Sequence, residues 1–132
     1  MNYWMIKQEP ESYSFDDLVK EGRTDWTGVR NYQARNNLRD MKKGDKLLFY
    51  HSGSGKEVVG TAMVSKANFP DPTDEKWIAV EVKPGKKFKR AVSLAQIRSN
   101  LALANMGLLR QSQLSVIKLT QDEYEEILSM SK

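Results

Sequence analysis

Cysteine is absent from the 132 residues, which excludes a disulfide scaffold, a thiolate metal site and a cysteine nucleophile. One histidine, His51, is all the chain has, so zinc would find neither a second imidazole nor a thiolate beside it. No apolar run approaches the length of a membrane span; Leu47-Leu48-Phe49-Tyr50 is typical of the longest. The first seven residues carry no basic leader followed by a long apolar core, so no signal peptide is expected and a cytoplasmic location is the simplest expectation. Linkers, repeats and low-complexity segments are missing too, and the length suits one domain spanning residues 1–132.

What remains is an ordinary soluble composition, 39% hydrophobic and 29% charged, with a net charge of +4. The charge is unevenly spread. Lys83, Lys86, Lys87, Lys89, Arg90 and Arg98 follow one another with no acid between them. Arg30, Arg35, Arg39, Lys42, Lys43, Lys46 and Lys56 are interrupted only by Asp40 and Asp45, whereas both ends of the chain lean acidic. Such segregation suits a polyanion on one side of the fold, although a solvated basic face would read the same way.

The most informative stretch is Trp26-Thr27-Gly28-Val29-Arg30-Asn31-Tyr32-Gln33-Ala34-Arg35-Asn36-Asn37. Aromatics stack on bases, arginines neutralise phosphate and amides read base edges, and here all three types crowd into a turn that runs into a helix. No nucleophile, carboxylate pair or metal set lies inside it. Trp26 stands among polar neighbours and reads as ligand-facing, while Trp4 and Trp77 lie in strand patterns and read as core. Tyr32 fits either a stacking role or a helix-start packing role, and Asn31 either a base contact or a helix cap.

Three helix starts carry capping signals: Ser14 with Asp17, Ser93 with Gln96, and Thr120 with Glu123. Gly22 stops the first helix, and Ala34, Leu38 and Met41 give a second over residues 32–41. Strands are expected over residues 3–7, 46–51, 58–64, 77–83 and 114–119, with a loop at Phe69-Pro70-Asp71-Pro72 and a hairpin-type turn at Pro84-Gly85 leading into a basic strand. Short strands separated by short helices predict an α+β fold built on a small barrel, because the alternation is too irregular for a doubly wound sheet.

Two catalytic readings are weak. Neighbouring strand residues point to opposite faces, so His51 and Ser52 cannot form a nucleophile–base dyad. Ser52-Gly53-Ser54-Gly55-Lys56 lacks phosphate-loop spacing, and Glu57 stands where a hydroxyl is needed, so a hairpin loop is expected there.

Over nearly its whole length the chain resembles the EVE domain family. The likeness rests on Tyr3-Trp4-Met5-Ile6-Lys7-Gln8-Glu9-Pro10, Tyr13-Ser14, the stretch from Trp26 to Asn37, Phe49-Tyr50-His51-Ser52, Val59-Gly60-Thr61-Ala62, Phe69-Pro70-Asp71-Pro72-Thr73, and Met106-Gly107-Leu108-Leu109-Arg110 to Leu114-Ser115-Val116. The resemblance implies a PUA-like pseudobarrel of five or six strands flanked by short helices. Kinship with YTH domains, which hold a methylated adenine in an aromatic cage, implies a non-catalytic, cofactor-free reader of a modified base in DNA or RNA. Carried over by position, Trp26 becomes one wall of the pocket with Thr27 and Gly28 beside it, Lys7 and Glu9 its rim, and Phe69 a second wall where the family more often has tyrosine. Arg110 and Ser112 would close the far side, with Asn31, Tyr32, His51 and Ser52 in or near the pocket. Gln8 stands where serine is usual, and Arg110-Gln111-Ser112-Gln113 departs from a more basic family loop, so base preference is expected to differ.

The leading expectation is therefore a monomeric nucleic-acid reader in which Arg30, Arg35, Arg39, Lys86, Lys87, Lys89 and Arg90 grip the backbone. A binder of free nucleosides using the same pocket would not need those cations. An enzyme would need a general base near Trp26, for which Glu9 or Asp25 is the candidate.

Overall fold

The computed structural model describes all 132 residues. In chain order it runs β1 (Tyr3–Gln8), α1 (Phe15–Glu21), β2 (Thr24–Trp26), α2 (Tyr32–Asp40), β3 (Lys46–His51), β4 (Glu57–Asp71) and β5 (Asp74–Ser93). It continues through α3 (Leu94–Arg98), a 3-10 turn (Leu101–Leu103), α4 (Gly107–Arg110), β6 (Val116–Leu119) and α5 (Gln121–Met130). The six strands make one mixed sheet in the order β2-β5-β4-β3-β1-β6. Only β1 and β3 pair in parallel; every other neighbour is antiparallel.

All three capping signals operate. Ser14, Ser93 and Thr120 each accept a hydrogen bond from the backbone three residues on, and Asp17, Gln96 and Glu123 reach back to the cap N–H. Gly22 closes α1 in the left-handed conformation, at φ 80°.

Two expected breaks are strand instead. β4 runs for 15 residues through Phe69 and Pro70, and β5 runs for 20 through Pro84 and Gly85. The register between them slips repeatedly, including between Gly60 and Ala62, opposite the Pro84 region. A bulge tolerates a residue with no N–H to give, which is how Pro84 sits inside a strand. Gly85 serves close approach: a Cβ there would lie 2.3 Å from the Thr61 hydroxyl oxygen. That hydroxyl accepts from the Lys86 N–H at 2.9 Å, replacing a ladder bond.

Bulges bend the ribbon, and the sheet curls as an open pseudobarrel, since its ends β2 and β6 are not neighbours. Helix α2 packs against β4, β5 and β6 and so bridges the gap. Its Ala34 and Leu38 are buried, and the Asn37 amide donates to the Val116 carbonyl of edge strand β6 at 2.7 Å. Inside lie Trp4, Ile6, Phe15, Leu38, Phe49 and Ile117 within one continuous core. Trp4 is core as expected; Trp77 is only half-buried and lies outside that cluster.

Buried Asp45 ties the first strand to the turn before β3. It accepts from the Trp4 indole N–H at 3.0 Å, the Lys42 N–H at 3.0 Å and the Asn2 N–H at 3.2 Å. An amide in its place would turn a donor toward donors. Asp45→Asn is expected to lower stability by about 2–3 kcal/mol, read in urea as a lower midpoint at unchanged slope.

Candidate nucleic-acid interface

Strand ends and the loops beside them converge on a cleft of about 520 Å³. β1 brings Lys7 and Gln8, with Glu9 just beyond; β2 ends in Trp26, and residues 27–31 lead from it into α2. Ser52 and Gly53 follow β3, while Ser112, Gln113 and Ser115 precede β6. Of these fourteen residues only Trp26 and Val29 are apolar.

The pocket residues expected from sequence divide cleanly. Lys7, Glu9, Trp26, Thr27, Gly28, Asn31, Ser52 and Ser112 line the cleft; Tyr32, His51, Phe69 and Arg110 do not. Phe69 pairs with Ala79 in the β4–β5 ribbon, with the Lys66 ammonium 5.1 Å above its ring. The second aromatic wall is therefore missing, and the cleft is a wall rather than a cage. His51 is turned away to receive the Phe15 N–H on its Nε2 at 3.0 Å, an orphan donor at the start of α1. Burial holds its pKa below the usual value, so the neutral ring that can accept this bond is favoured. Arg110 is exposed at the end of α4. Val29, Gly53 and Ser115 enter without having been expected, and Gln8 and Gln113, noted only as departures from the family pattern, join them; the Lys7 N–H donates to the Ser115 carbonyl and the Ser52 N–H to that of Gln8.

Trp26, read from sequence as ligand-facing, is 6% exposed and belongs to the continuous core, so only a small part of it is open to the cleft it lines. Phe49 and Tyr13 meet the Trp26 ring edge-on at 5.5 and 6.1 Å, and a smaller cleft of about 200 Å³ lies beside it, sharing Gln8, Trp26 and Thr27. Lys7 spans the opening, its ammonium donating to the Ser112 carbonyl at 2.8 Å, and partial burial lowers its pKa. Glu9 lines the cleft, and its carboxylate accepts no hydrogen bond within the chain.

The loop between β2 and α2 is held by Asp71 at the tip of the β4–β5 hairpin. Gly28, at φ 82°, points its N–H to Asp71 Oδ2 at 2.9 Å, and the Arg30 guanidinium joins it at 3.1 Å. The Thr73 N–H and hydroxyl donate to Oδ1 at 2.7 and 2.6 Å. Burial alone would raise the Asp71 pKa, but the bonds from Thr73, Gly28 and Arg30 outweigh it and hold the carboxyl well below the ordinary range. Arg30 thus spends its charge inside the protein, where sequence pointed to phosphate. Asn31 is a cap whose side-chain oxygen accepts from the Ala34 N–H at 2.9 Å, and the positive end of α2 faces the cleft.

Arg30 also lies over Trp77, 5.5 Å from its ring centroid. Tyr32, 67% exposed, stacks on Trp77 at 5.2 Å and 29°. Arg35 covers both rings at 5.0 and 5.8 Å; it has no ion-pair partner, and its Nε is shut from solvent without an acceptor. Trp77, read as core, is instead the base of a surface stack.

The remaining expected cations lie elsewhere. Arg39 is exposed in the last turn of α2. Lys86, Lys87 and Lys89 line a second cleft of about 660 Å³ with Phe88, Tyr124 and Lys132, which shares no residue with the first. Lys87 pairs with Asp16 at 2.8 Å, both exposed, and Arg90 is exposed, with its N–H donating to the Ser131 carbonyl.

The family model described as the EVE domain matches residues 2–130. Thymocyte nuclear protein 1 of Mus musculus is 34% identical over 99% of this chain and 74% of its own. A crystal structure of protein Atu2648 from Agrobacterium tumefaciens superposes with a TM-score of 0.97 at 42% identity, covering 99% of this chain and 93% of that one. Human THYN1 protein in complex with 5-methylcytosine containing DNA superposes with a TM-score of 0.92 at 33% identity, covering 100% and 98%.

Asp71→Asn should loosen the Gly28 loop and lower stability by about 1–3 kcal/mol at neutral pH. A carboxyl depressed in the fold stabilises fully above its unfolded value, about 3.9, and loses that contribution as pH falls toward the folded one. The gap between wild type and variant, followed by urea denaturation, should therefore hold from neutrality to about pH 5 and narrow below about pH 4.

Proposed function

From the premise that the chain belongs to the EVE domain family, we propose that it is a non-catalytic nucleic-acid reader that takes a modified base into the cleft beside Trp26, with 5-methylcytosine in DNA the first candidate. One observation carries this reading: the human relative that matches the whole chain was solved with DNA containing 5-methylcytosine. The cleft volume, about 520 Å³, is in the range of small-ligand sites and accommodates a nucleotide.

The lining suggests how a base would be held. Trp26 offers one apolar wall, Lys7 and the start of α2 favour a nearby phosphate, and the free Glu9 carboxylate is the acceptor that a cytosine amino group calls for. Magnitudes then divide the labour. Extruding a base from a duplex costs a few kcal/mol and stacking returns about 1–3 kcal/mol per base, so a single wall roughly balances extrusion. Burying the added methyl contributes only about 0.8 kcal/mol, close to a fourfold preference. Recognition of cytosine would come mainly from Glu9, and recognition of the methyl would be modest.

A free-nucleoside binder is the second reading. It is favoured by the separation of the clefts, since Lys86, Lys87 and Lys89 share no lining residue with the Trp26 cleft. Fluorescence anisotropy with short single- and double-stranded DNA and RNA, plain or carrying one 5-methylcytosine, at two salt concentrations, separates the two. A reader binds the methylated oligomer a few-fold more tightly than the plain one and weakens as salt rises. Glu9→Gln should cost about 1–3 kcal/mol on cytosine-type bases and little on others. Salt-independent binding of the nucleoside alone would replace the reader with the metabolite site.

A further inference from the structure

We propose that Tyr32, Trp77 and Arg35 form a stacking shelf for the nucleotide adjacent to the base in the cleft. The proposal rests on the reader assignment and extends it from one nucleotide to two.

Exposure is the first observation. Tyr32 leaves 67% of its surface to solvent, and no other aromatic is among the large exposed hydrophobic residues. A tyrosine that had only to start a helix would gain by folding its ring onto the core. This ring is stacked instead on Trp77, 5.2 Å between centroids and tilted by 29°, with Arg35 over it and most of its surface left to solvent. A rigid ring backed by a second ring loses little freedom when a base settles on it, which is what makes stacking platforms effective.

Charge is the second. Arg35 lies over both rings and has no carboxylate partner, although the chain carries 17 acidic residues. Its buried Nε has no acceptor. A guanidinium so placed, beside an aromatic face and free of internal ion pairs, fits a phosphate of the strand whose base stacks on Tyr32. Arg30 differs in kind, being consumed by Asp71, and serves as the link between the two sites.

Placement is the third. Arg30 and Asn31 line the cleft; Arg30 also covers Trp77, and Tyr32 is the next residue along. Shelf and cleft therefore share a border, at the spacing of neighbouring residues. A base can lie flat on Tyr32 only if it is not stacked in a duplex, so the ligand is a single strand or a locally opened one.

The test uses anisotropy with a short single-stranded DNA carrying one 5-methylcytosine, its unmethylated counterpart, and 5-methyl-2′-deoxycytidine as the ligand without a neighbour. Tyr32→Ala should weaken both oligonucleotides by about 5- to 100-fold, the loss of one stacked base, while leaving their ratio and nucleoside binding unchanged. Tyr32→Phe, which keeps the ring, should bind like wild type, and Arg35→Gln should reduce the salt dependence. Ser112→Trp, filling the cleft from an exposed loop position, should abolish nucleoside and oligonucleotide binding alike. Should Tyr32→Ala bind the strand as wild type does while Ser112→Trp abolishes binding, the shelf is overturned and the reader stands. Full binding by Ser112→Trp would remove the cleft from the interaction, overturning the reader and the pairing of shelf with cleft together.

Discussion

A buried carboxylate that accepts four hydrogen bonds organises the cleft end of this protein. Asp71 is 1% exposed, and burying its charge would be strongly unfavourable without compensation. Compensation comes from two parts of the chain: Gly28 and Arg30 on the loop after β2, and Thr73 in the hairpin tip beyond β4. Pinning that loop sets where Asn31 caps α2, hence the direction of the helix, hence how Asn37 reaches Val116 across the open side of the sheet. Arg30, once anchored, lies over Trp77, and Tyr32 stacks behind it. Cleft, sheet closure and surface stack all inherit their geometry from one charge and its donors.

Sequence showed local devices clearly and distant ones poorly, for a physical reason. A capping box is written within four residues, so Ser14, Ser93 and Thr120 could be read directly, as could the apolar spacing of α2. Pro84 and Gly85 look like a turn because turns favour those residues, yet a bulge and a tight inter-strand approach select them equally well. Which was meant depends on Thr61, more than twenty residues away. β2 is only three residues long and has no pattern of its own; pairing with β5 creates it.

The same limit governs the site. Eight of the fourteen cleft residues were expected, but Lys7, Glu9 and Ser112 among them came only from the family resemblance, because strand ends distant in sequence meet there. Phe69 failed as a wall expected from the family resemblance alone: it does not line the cleft, and the member of that block that reaches the β2–α2 loop is Asp71. Trp77 failed in the opposite sense. Its strand setting suggested core, but β5 carries it past the end of the packed layer, to where α2 presents Tyr32. Arginine count gave no way to tell Arg30, whose charge is satisfied within the protein, from Arg35, whose charge is not.

A cleft with two apolar residues among fourteen cannot discriminate by hydrophobic burial, since one methyl is worth about 0.8 kcal/mol even when fully enclosed. For a nucleic-acid ligand the larger forces, stacking and cation–phosphate attraction, would be blind to base identity. Polar groups are where selectivity can be large, because a wrong base leaves a donor or acceptor dry and unpaired, at about 1–3 kcal/mol each. Glu9 has its carboxylate free, whereas Asn31 has committed its oxygen to the α2 cap and Lys7 a donor to the Ser112 carbonyl. Groups already engaged inside the protein hold the cleft in shape, and a free group can be matched or mismatched by what enters. On that division, affinity would reside mainly in the aromatic and cationic surfaces and base identity in a single carboxylate.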